Sequence, residues 1–332
     1  MKTMLVTGGY GFIGSNFIRY ITENSPEWKI VNLDNVTYAG NPANLADLDT
    51  EGHLISVRGD ITDRSLVKSL FEKYAFDRVV HFAAESHVDR SITGPEIFVL
   101  SNVLGTQVLL DMARAHWGGG SEHKRFIHVS TDEVYGALGQ EGFFTEDTPL
   151  SPNSPYSASK AGSDLLVRSY FKTFNMPVIT TRCSNNYGPY QFPEKLIPLM
   201  IMNAMEDKPL PVYGDGLYVR DWLYVVDHCS AIHHIAEKGR VGQVYNIGGN
   251  NEKKNIDVVK TILSVLKKPE TLISYVADRP GHDRRYAISA EKIKNEIGWQ
   301  PSVNFEEGIA RTIQWYIDNR QWWEPLKERA KI

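Results

Sequence analysis

The stretch Thr7-Gly8-Gly9-Tyr10-Gly11-Phe12-Ile13-Gly14-Ser15 stands at the very start of the chain, between an apolar run and a helical pattern. Glycine is needed where a backbone turns tightly, where it approaches a pyrophosphate, and where a helix packs closely on a strand. The helix that follows offers unpaired N–H groups and a positive dipole end to phosphates. Gly8, Gly11 and Gly14, with Phe12 and Ile13 between them, therefore predict the first β-turn-α unit of a dinucleotide-binding fold. Asp34 lies 20 residues beyond Gly14 at the end of a second apolar run. A carboxylate there accepts hydrogen bonds from ribose hydroxyls and repels a 2′-phosphate, which favours NAD over NADP. Two later strand ends extend the site: Gly59-Asp60-Ile61 toward the adenine, and Phe82-Ala83-Ala84 where small side chains let a cofactor lie close.

Short apolar runs alternate with helical patterns through the first half, which predicts a parallel sheet covered on both faces. The expected strands are Thr3–Thr7, Lys29–Asp34, Leu54–Arg58, Arg78–Ala83, Arg125–Ser130 and Pro177–Arg182. Ile13–Glu23, Ser65–Tyr74 and Pro95–His116 read as helices, the last from the spacing of Leu100, Val103, Leu104, Val108 and Met112. After about Asn185 prolines break the alternation. A strand at Asp221–Val225, a helix across Asp227–Glu237 and a strand at Gln243–Ile247 follow, with helices at Ile256–Leu266 and Glu306–Asn319. The fold expected is α/β, a Rossmann-type doubly wound parallel sheet with a smaller, discontinuous C-terminal substrate lobe. Residues 1–184, with a return near 221–250, form the NAD-binding domain; 185–220 and 251–332 form the substrate lobe.

The chemistry is concentrated in two short strings. In Tyr156-Ser157-Ala158-Ser159-Lys160, which opens a helix after a loop rich in Pro and Ser, Tyr156 and Lys160 share a face. An ammonium beside a phenol stabilises the phenolate and draws its pKa toward neutrality, so Tyr156 can take an alcohol proton while hydride leaves. The second string, Val129-Ser130-Thr131-Asp132-Glu133-Val134-Tyr135-Gly136, ends the fifth strand, where parallel sheets face their ligands. Thr131 offers a hydroxyl to the reacting oxygen. A plain alcohol dehydrogenase has no use for the Asp132–Glu133 pair. Eliminating water needs one group to remove a proton from carbon and another to protonate the departing hydroxyl, and adjacent carboxyls in unlike surroundings can divide those roles.

The glycine turn, the Tyr156–Lys160 pair and the strand order resemble the extended short-chain dehydrogenase/reductase family. Longer strings are similar to its nucleotide-sugar 4,6-dehydratases: Asp34–Asn41, His81–Ile92, Ser130–Gly136, Arg182–Pro198, Arg220–Val225, Asn246–Asn255 and Asp278–Arg285. The resemblance implies dTDP-glucose as substrate and NAD as cofactor. It makes Tyr156 the base for the 4-hydroxyl, with Lys160 also holding the nicotinamide ribose. Glu133 would remove the C5 proton and Asp132 protonate the leaving 6-hydroxyl; hydride then returns to C6 as Tyr156 reprotonates. It further assigns Asp34, Asn35, Val36, Thr37, Asp60, Ile61, Phe82, Ala83, Ala84, Ser101 and Asn186 to the cofactor, with the glycine turn. Ser86, Thr131, Asn185, Lys195, Leu196, Pro211, Tyr213, Arg220, Asn255, Arg279 and His282 fall to the substrate. The charge logic agrees for the arginines, since a diphosphate favours fixed cationic forks. His87 and Asp89 acquire no role. A homodimer pairing through Pro95–His116 and Tyr156–Asn175 is also implied.

Three other readings share parts of this pattern, the nearest a GDP-mannose or UDP-sugar 4,6-dehydratase, against which only the substrate-lobe strings argue. A sugar-nucleotide 4-epimerase uses the same scaffold, NAD and Tyr–Lys pair but no C5 base or C6 acid; a NAD-sensing binding protein needs none of the acid–base groups. A net charge of −4 gives no electrostatic case for nucleic-acid or membrane-surface partners. Cys183 and Cys229 lack metal-ligand spacing, and two buried thiols in a reducing compartment are expected. The N-terminus has no signal-peptide pattern and no apolar run approaches the roughly 18 residues of a membrane helix, so a cytoplasmic location is expected.

Overall fold

The computed structural model describes residues 2–48, 52–118, 123–278 and 281–330. Its centre is a seven-stranded parallel sheet in which β1 (Lys2–Thr7) lies between β2 (Trp28–Asp34) and β4 (Arg78–His81). From one edge the order is β3 (Leu54–Arg58), β2, β1, β4, β5 (Arg125–Thr131), β6 (Val178–Cys183) and β10 (Val244–Ile247). The order reverses direction between β1 and β4. There the carboxyl ends of the strands part to leave the crevice where open α/β sheets bind ligands. The residues of β4 and β6 are buried throughout, as two covered faces require. β4 stops at His81, short of the expected Ala83, and Phe82–Ala84 leaves the sheet to line that crevice.

One face is covered by α1 (Phe12–Asn24), the other by α2 (Arg64–Lys73). After the short α3 (Val88–Thr93) comes α4, a 22-residue helix over Glu96–Trp117 that joins α2 on its face, as does α5 (Pro155–Phe174). α4 departs from the sequence reading twice. Val99–Gly105 within it is π-helical rather than α-helical, a distortion that often marks a functional site. It is also long and apolar enough, by length and composition, to cross a membrane, although no such run was expected. Of its most apolar window 44% is buried inside the protein, in the core that Val108, Leu109 and Ala113 share with α5.

The second lobe starts with β7 (Asn185–Tyr187), which pairs with β9 (Val219–Tyr224); β9 in turn pairs with β11 (Glu252–Lys254). A two-stranded parallel ribbon joins β8 (Leu210–Tyr213) to β12 (Ile273–Val276). α6 (Leu196–Met205), α8 (Asn255–Leu266) and α10 (Phe305–Asp318) pack around Tyr187, Trp222 and Tyr224 in a separate core. Between these segments the chain returns to the first sheet through α7 (Val225–Lys238) and β10. Ile293 and Ile297 of α9 (Glu291–Ile297), with Trp299, also sit in the first domain's core.

Candidate active site

One cleft of about 330 Å³ runs along the carboxyl ends of the central strands. Gly8, Gly11, Phe12, Ile13 and Gly14 line one end. Gly8 has φ +76°, and a Cβ there would lie 2.7 Å from the Ala83 nitrogen; one on Gly14 would meet the Gly8 oxygen at 2.2 Å. Only glycine fits either place. No side chain caps α1 at Gly11, so its first N–H groups face the cleft free to receive an anion. The cradle thus suits a dinucleotide pyrophosphate on its own geometry.

Asp34 lines the same cleft. Its carboxylate accepts from the Val36 and Tyr10 nitrogens at 2.7 and 2.9 Å. Burial raises its pKa, and these two hydrogen bonds work the other way. Asn35 donates to Asp60 at 2.8 Å, and Asp60 is held in turn by the Thr62 nitrogen and hydroxyl. Thr37, Ile61, Phe82, Ala83, Ala84, Ser101 and Asn186 line the same cleft, whereas Val36, at φ +57°, does not join that lining. Ser101 arrives on the π-helical stretch, whose neighbour Asn102 pins the Glu85 backbone from both sides, at 2.9 and 3.0 Å. Its amide also donates to Ser159 at 2.8 Å.

Thr131, Asp132, Glu133, Tyr156 and Lys160 all line the middle of this cleft. β5 delivers Thr131, which caps the 3-10 turn Asp132–Tyr135 by accepting from the Glu133 nitrogen at 3.3 Å. Ser154 and Ser157 form a capping box that starts α5 beside Tyr156. Asp132 is 2% exposed, and burial, then the Glu133 and Asp221 carboxylates, push its pKa well above the carboxylate range. Lys160, 4% exposed, donates from Nζ to the Val129 carbonyl at 2.8 Å, and burial draws it down to about 8. Tyr156 corrects the sequence reading. Burial, then Glu133, hold its phenol well above the usual value, and a hydrogen bond with Thr131 works the other way. Desolvation outweighs the ammonium one turn along the helix.

Of the residues expected around a substrate, Ser86, Asn185 and Lys195 join the cleft, with Leu196 next to Lys195 at the start of α6. A second group gathers where β8 and β9 meet Asp278 and residues 281–285. His282 stacks on Tyr218 at 3.8 Å and meets the Tyr213 ring edge-on; Asn255 donates its N–H to the Tyr218 carbonyl. Pro211 sits on β8, in register with Ser274. Arg220 links the groups: its guanidinium donates to the Asp283 carbonyl at 2.9 Å, and its charge lowers the Asp132 pKa. Arg279 lies outside the described residues. The sequence reading missed Asn102, Glu85, Glu194 and Tyr218. Tyr38 donates to Glu194 at 3.0 Å across the cleft mouth, with Arg90 stacked 3.6 Å above the Tyr38 ring. Those partners are far apart in the chain, and no local pattern signals them. Among the described residues no His, Cys, Asp or Glu cluster suits a metal.

A parallel sheet with a glycine turn at its switch point, and a Tyr–Lys pair beside two carboxyls, defines an NAD-dependent enzyme acting on an alcohol. Residues 5–312 match the family described as GDP-mannose 4,6 dehydratase, and the chain belongs to that family. It is 55% identical over 335 residues to the dTDP-glucose 4,6-dehydratase of Xanthomonas campestris pv. campestris (strain B100), covering 97% of this chain and 95% of that one. Two solved structures of proteins so named are close. That of Bacillus anthracis, in complex with NAD, has a TM-score of 0.91 at 52% identity, covering 98% of this chain and 100% of that one. DesIV of Streptomyces venezuelae, with NAD and TYD bound, has a TM-score of 0.93 at 49% identity, with the same coverage.

Proposed function

We propose that this protein dehydrates dTDP-glucose to dTDP-4-dehydro-6-deoxy-glucose, as an NAD-dependent lyase. One observation carries the reading: a buried acid, a second carboxyl, a threonine and a Tyr–Lys pair share a cleft with a dinucleotide cradle. NAD, when bound, would supply the hydride acceptor for C4 and the hydride donor for C6, and in its oxidised form would add positive charge to the cleft. Gly8, Gly11, Gly14 and Asp34 would hold it, with Lys160 on the nicotinamide ribose.

Thr131 orients the 4-hydroxyl and Tyr156 takes its proton. The 4-ketone acidifies C5–H, and Glu133 removes that proton. Asp132 is held in its acid form by burial and by Glu133, so it can protonate the departing 6-hydroxyl, which leaves as water. Glu133 returns a proton to C5 as C6 receives hydride. Tyr156 has then gained one proton and Asp132 lost one, and both reset through solvent. A 4-epimerase gives a protonated Asp132 nothing to do, which favours elimination.

Ser86, Asn185, Lys195 and Leu196 support the sugar end. Arg220, His282, Tyr213, Pro211, Asn255 and Arg279 support the nucleotide end. The cofactor lobe comprises residues 1–184 with the return near 221–250, and the remaining segments form the substrate lobe; two separate cores support two lobes, with the correction that Ile293, Ile297 and Trp299 pack in the first core. Ile97, Val99, Leu100 and Leu104 of α4 and Leu165 and Phe174 of α5 are exposed apolar side chains on packed helices. A homodimer that buries them is part of the reading. So is a cytoplasmic location, since Cys183 and Cys229 are free, buried thiols.

Turnover of dTDP-glucose, UDP-glucose and GDP-mannose, scored for 4-keto-6-deoxy product, tests the assignment. Preference for either of the latter two overturns the substrate and leaves the chemistry standing.

A further inference from the structure

A buried lysine needs a counter-charge, and the cleft residues alone do not supply one to Lys160. Tyr156, Lys160 and Asp164 follow one another at four-residue steps on α5, so all three face β5 and β6. Asp164 is 3% exposed. Its Oδ2 accepts from Arg182 Nε at 2.8 Å, and its Oδ1 lies 3.2 Å from His128 Nε2. The guanidinium continues to the Tyr135 hydroxyl at 2.9 Å, and that hydroxyl to Asn246 at 2.8 Å. His128 neighbours Val129, whose carbonyl receives the Lys160 ammonium.

We propose that Asp164 is a positioning residue for Lys160: its carboxylate keeps the buried ammonium charged beside Tyr156, and Arg182 sets how much of that negative charge Lys160 feels. The groups facing Lys160 leave this role to Asp164. His81 on β4 and His128 on β5 are both buried and held below the ordinary imidazole value, His128 at about 4, so near neutrality they bring no charge. Cys183 on β6 is pushed up to about 12 and stays a thiol. Tyr156 and Asp132 are held toward their neutral forms. Glu133 acts on Tyr156, and Arg182 is paired with Asp164. Asp164, whose own pKa is lowered, is the largest influence opposing the burial of Lys160. An Asp–Arg pair serving the fold alone would leave the lysine titration unaffected.

The inference rests on Lys160 working as the charged partner of Tyr156, and its test does not need turnover. Holoenzyme carrying 13Cε-labelled lysine is titrated by NMR, with Lys160 assigned by its absence from Lys160→Met. Asp164→Asn lowers the Lys160 midpoint by about one pH unit, and Arg182→Gln raises it, the sign expected when an opposite or a like charge is removed. The alkaline limb of kcat moves the same way in each variant, with KM little changed. Midpoints that stay fixed, or move in the same direction in both variants, overturn the proposal. If Asp164→Asn fails to fold, Arg182→Gln decides alone: a raised midpoint supports the role, a fixed or lowered one ends it. Midpoints that move as expected in a protein inert toward dTDP-glucose would sink the functional reading and leave this one.

Discussion

Asp132 and Glu133 are adjacent in the chain and unlike in surroundings: Asp132 is 2% exposed, with Oδ2 reaching no hydrogen-bond partner among the described residues, while Glu133 is half-buried. Isotope exchange separates the acid from the base. In deuterated water the wild type places deuterium at C5. Glu133→Gln keeps C4 oxidation, so reduced nicotinamide accumulates, and loses C5 exchange. Asp132→Asn keeps C5 exchange while loss of water slows about 10²- to 10⁴-fold, the usual worth of a positioned proton donor. The checks are mass and NMR analysis of C5 in recovered sugar; deuterium at C5 from Glu133→Gln at the wild-type rate removes Glu133 as the base.

The same burial makes Asp132 costly to the fold. Its native pKa is raised well above the unfolded value, so between those two values the folded state binds more protons than the unfolded chain. Stability therefore falls as pH rises through that window. Asparagine carries no such cost. Asp132→Asn should melt higher than the wild type near neutrality, with a gap that closes as pH falls toward about 4. Melting curves across that range decide it; a gap independent of pH would assign the gain to packing alone.

Gly8→Ala tests the cradle. Its φ of +76° and the 2.7 Å approach to Ala83 leave an alanine strained and in collision with backbone. A cost of about 1–3 kcal/mol is expected for such a conformation, before any movement of Ala83. The variant should purify with less NAD and gain less in melting temperature when NAD is added. Full NAD content and an unchanged melt would show that the turn tolerates a side chain.

The parts of the site legible in the sequence are those whose cause is local. Gly8 to Gly14 must form a tight turn, and Tyr156 and Lys160 share a face because a helix repeats that way. Buried parallel strands announce themselves by unbroken apolar runs, so β1 to β6 fall close to their expected ends. The state of Tyr156 was not legible. Its phenol is governed by burial and by Glu133 across the cleft, which spacing along one helix cannot report. The π-helical turn at Val99–Gly105 was hidden for a similar reason. Gly105 packs where a Cβ would lie 2.4 Å from Ile61 Cδ1, and Asn102 reaches out to Glu85 and Ser159, which are long-range demands on a run that reads as plain helix. Tyr38, Arg90 and Glu194 converge from three separate segments, and nothing in any one of them points to the other two.

The outer faces of α4 and α5 give the last prediction. Ile97, Val99, Leu100 and Leu104 are 48%, 54%, 41% and 42% exposed, and Leu165 on α5 is 57% exposed. The helices are packed tightly enough that a Cβ on Gly162 would lie 3.4 Å from Val103 Cγ2, so the exposed side chains belong to a rigid platform. Exposed apolar side chains on a rigid helix pair are costly in water when they form a patch, and that cost is relieved when a two-fold axis sets the patch against itself. Leu104→Glu places a charge on this surface and on its copy, and burying two like charges without partners disfavours the pair. Sedimentation velocity should find the wild type as a dimer and Leu104→Glu shifted toward monomer, while Tyr275→Glu, on the distant β12, leaves the state unchanged. A Leu104→Glu protein that sediments as the wild type does would place the subunit contact elsewhere.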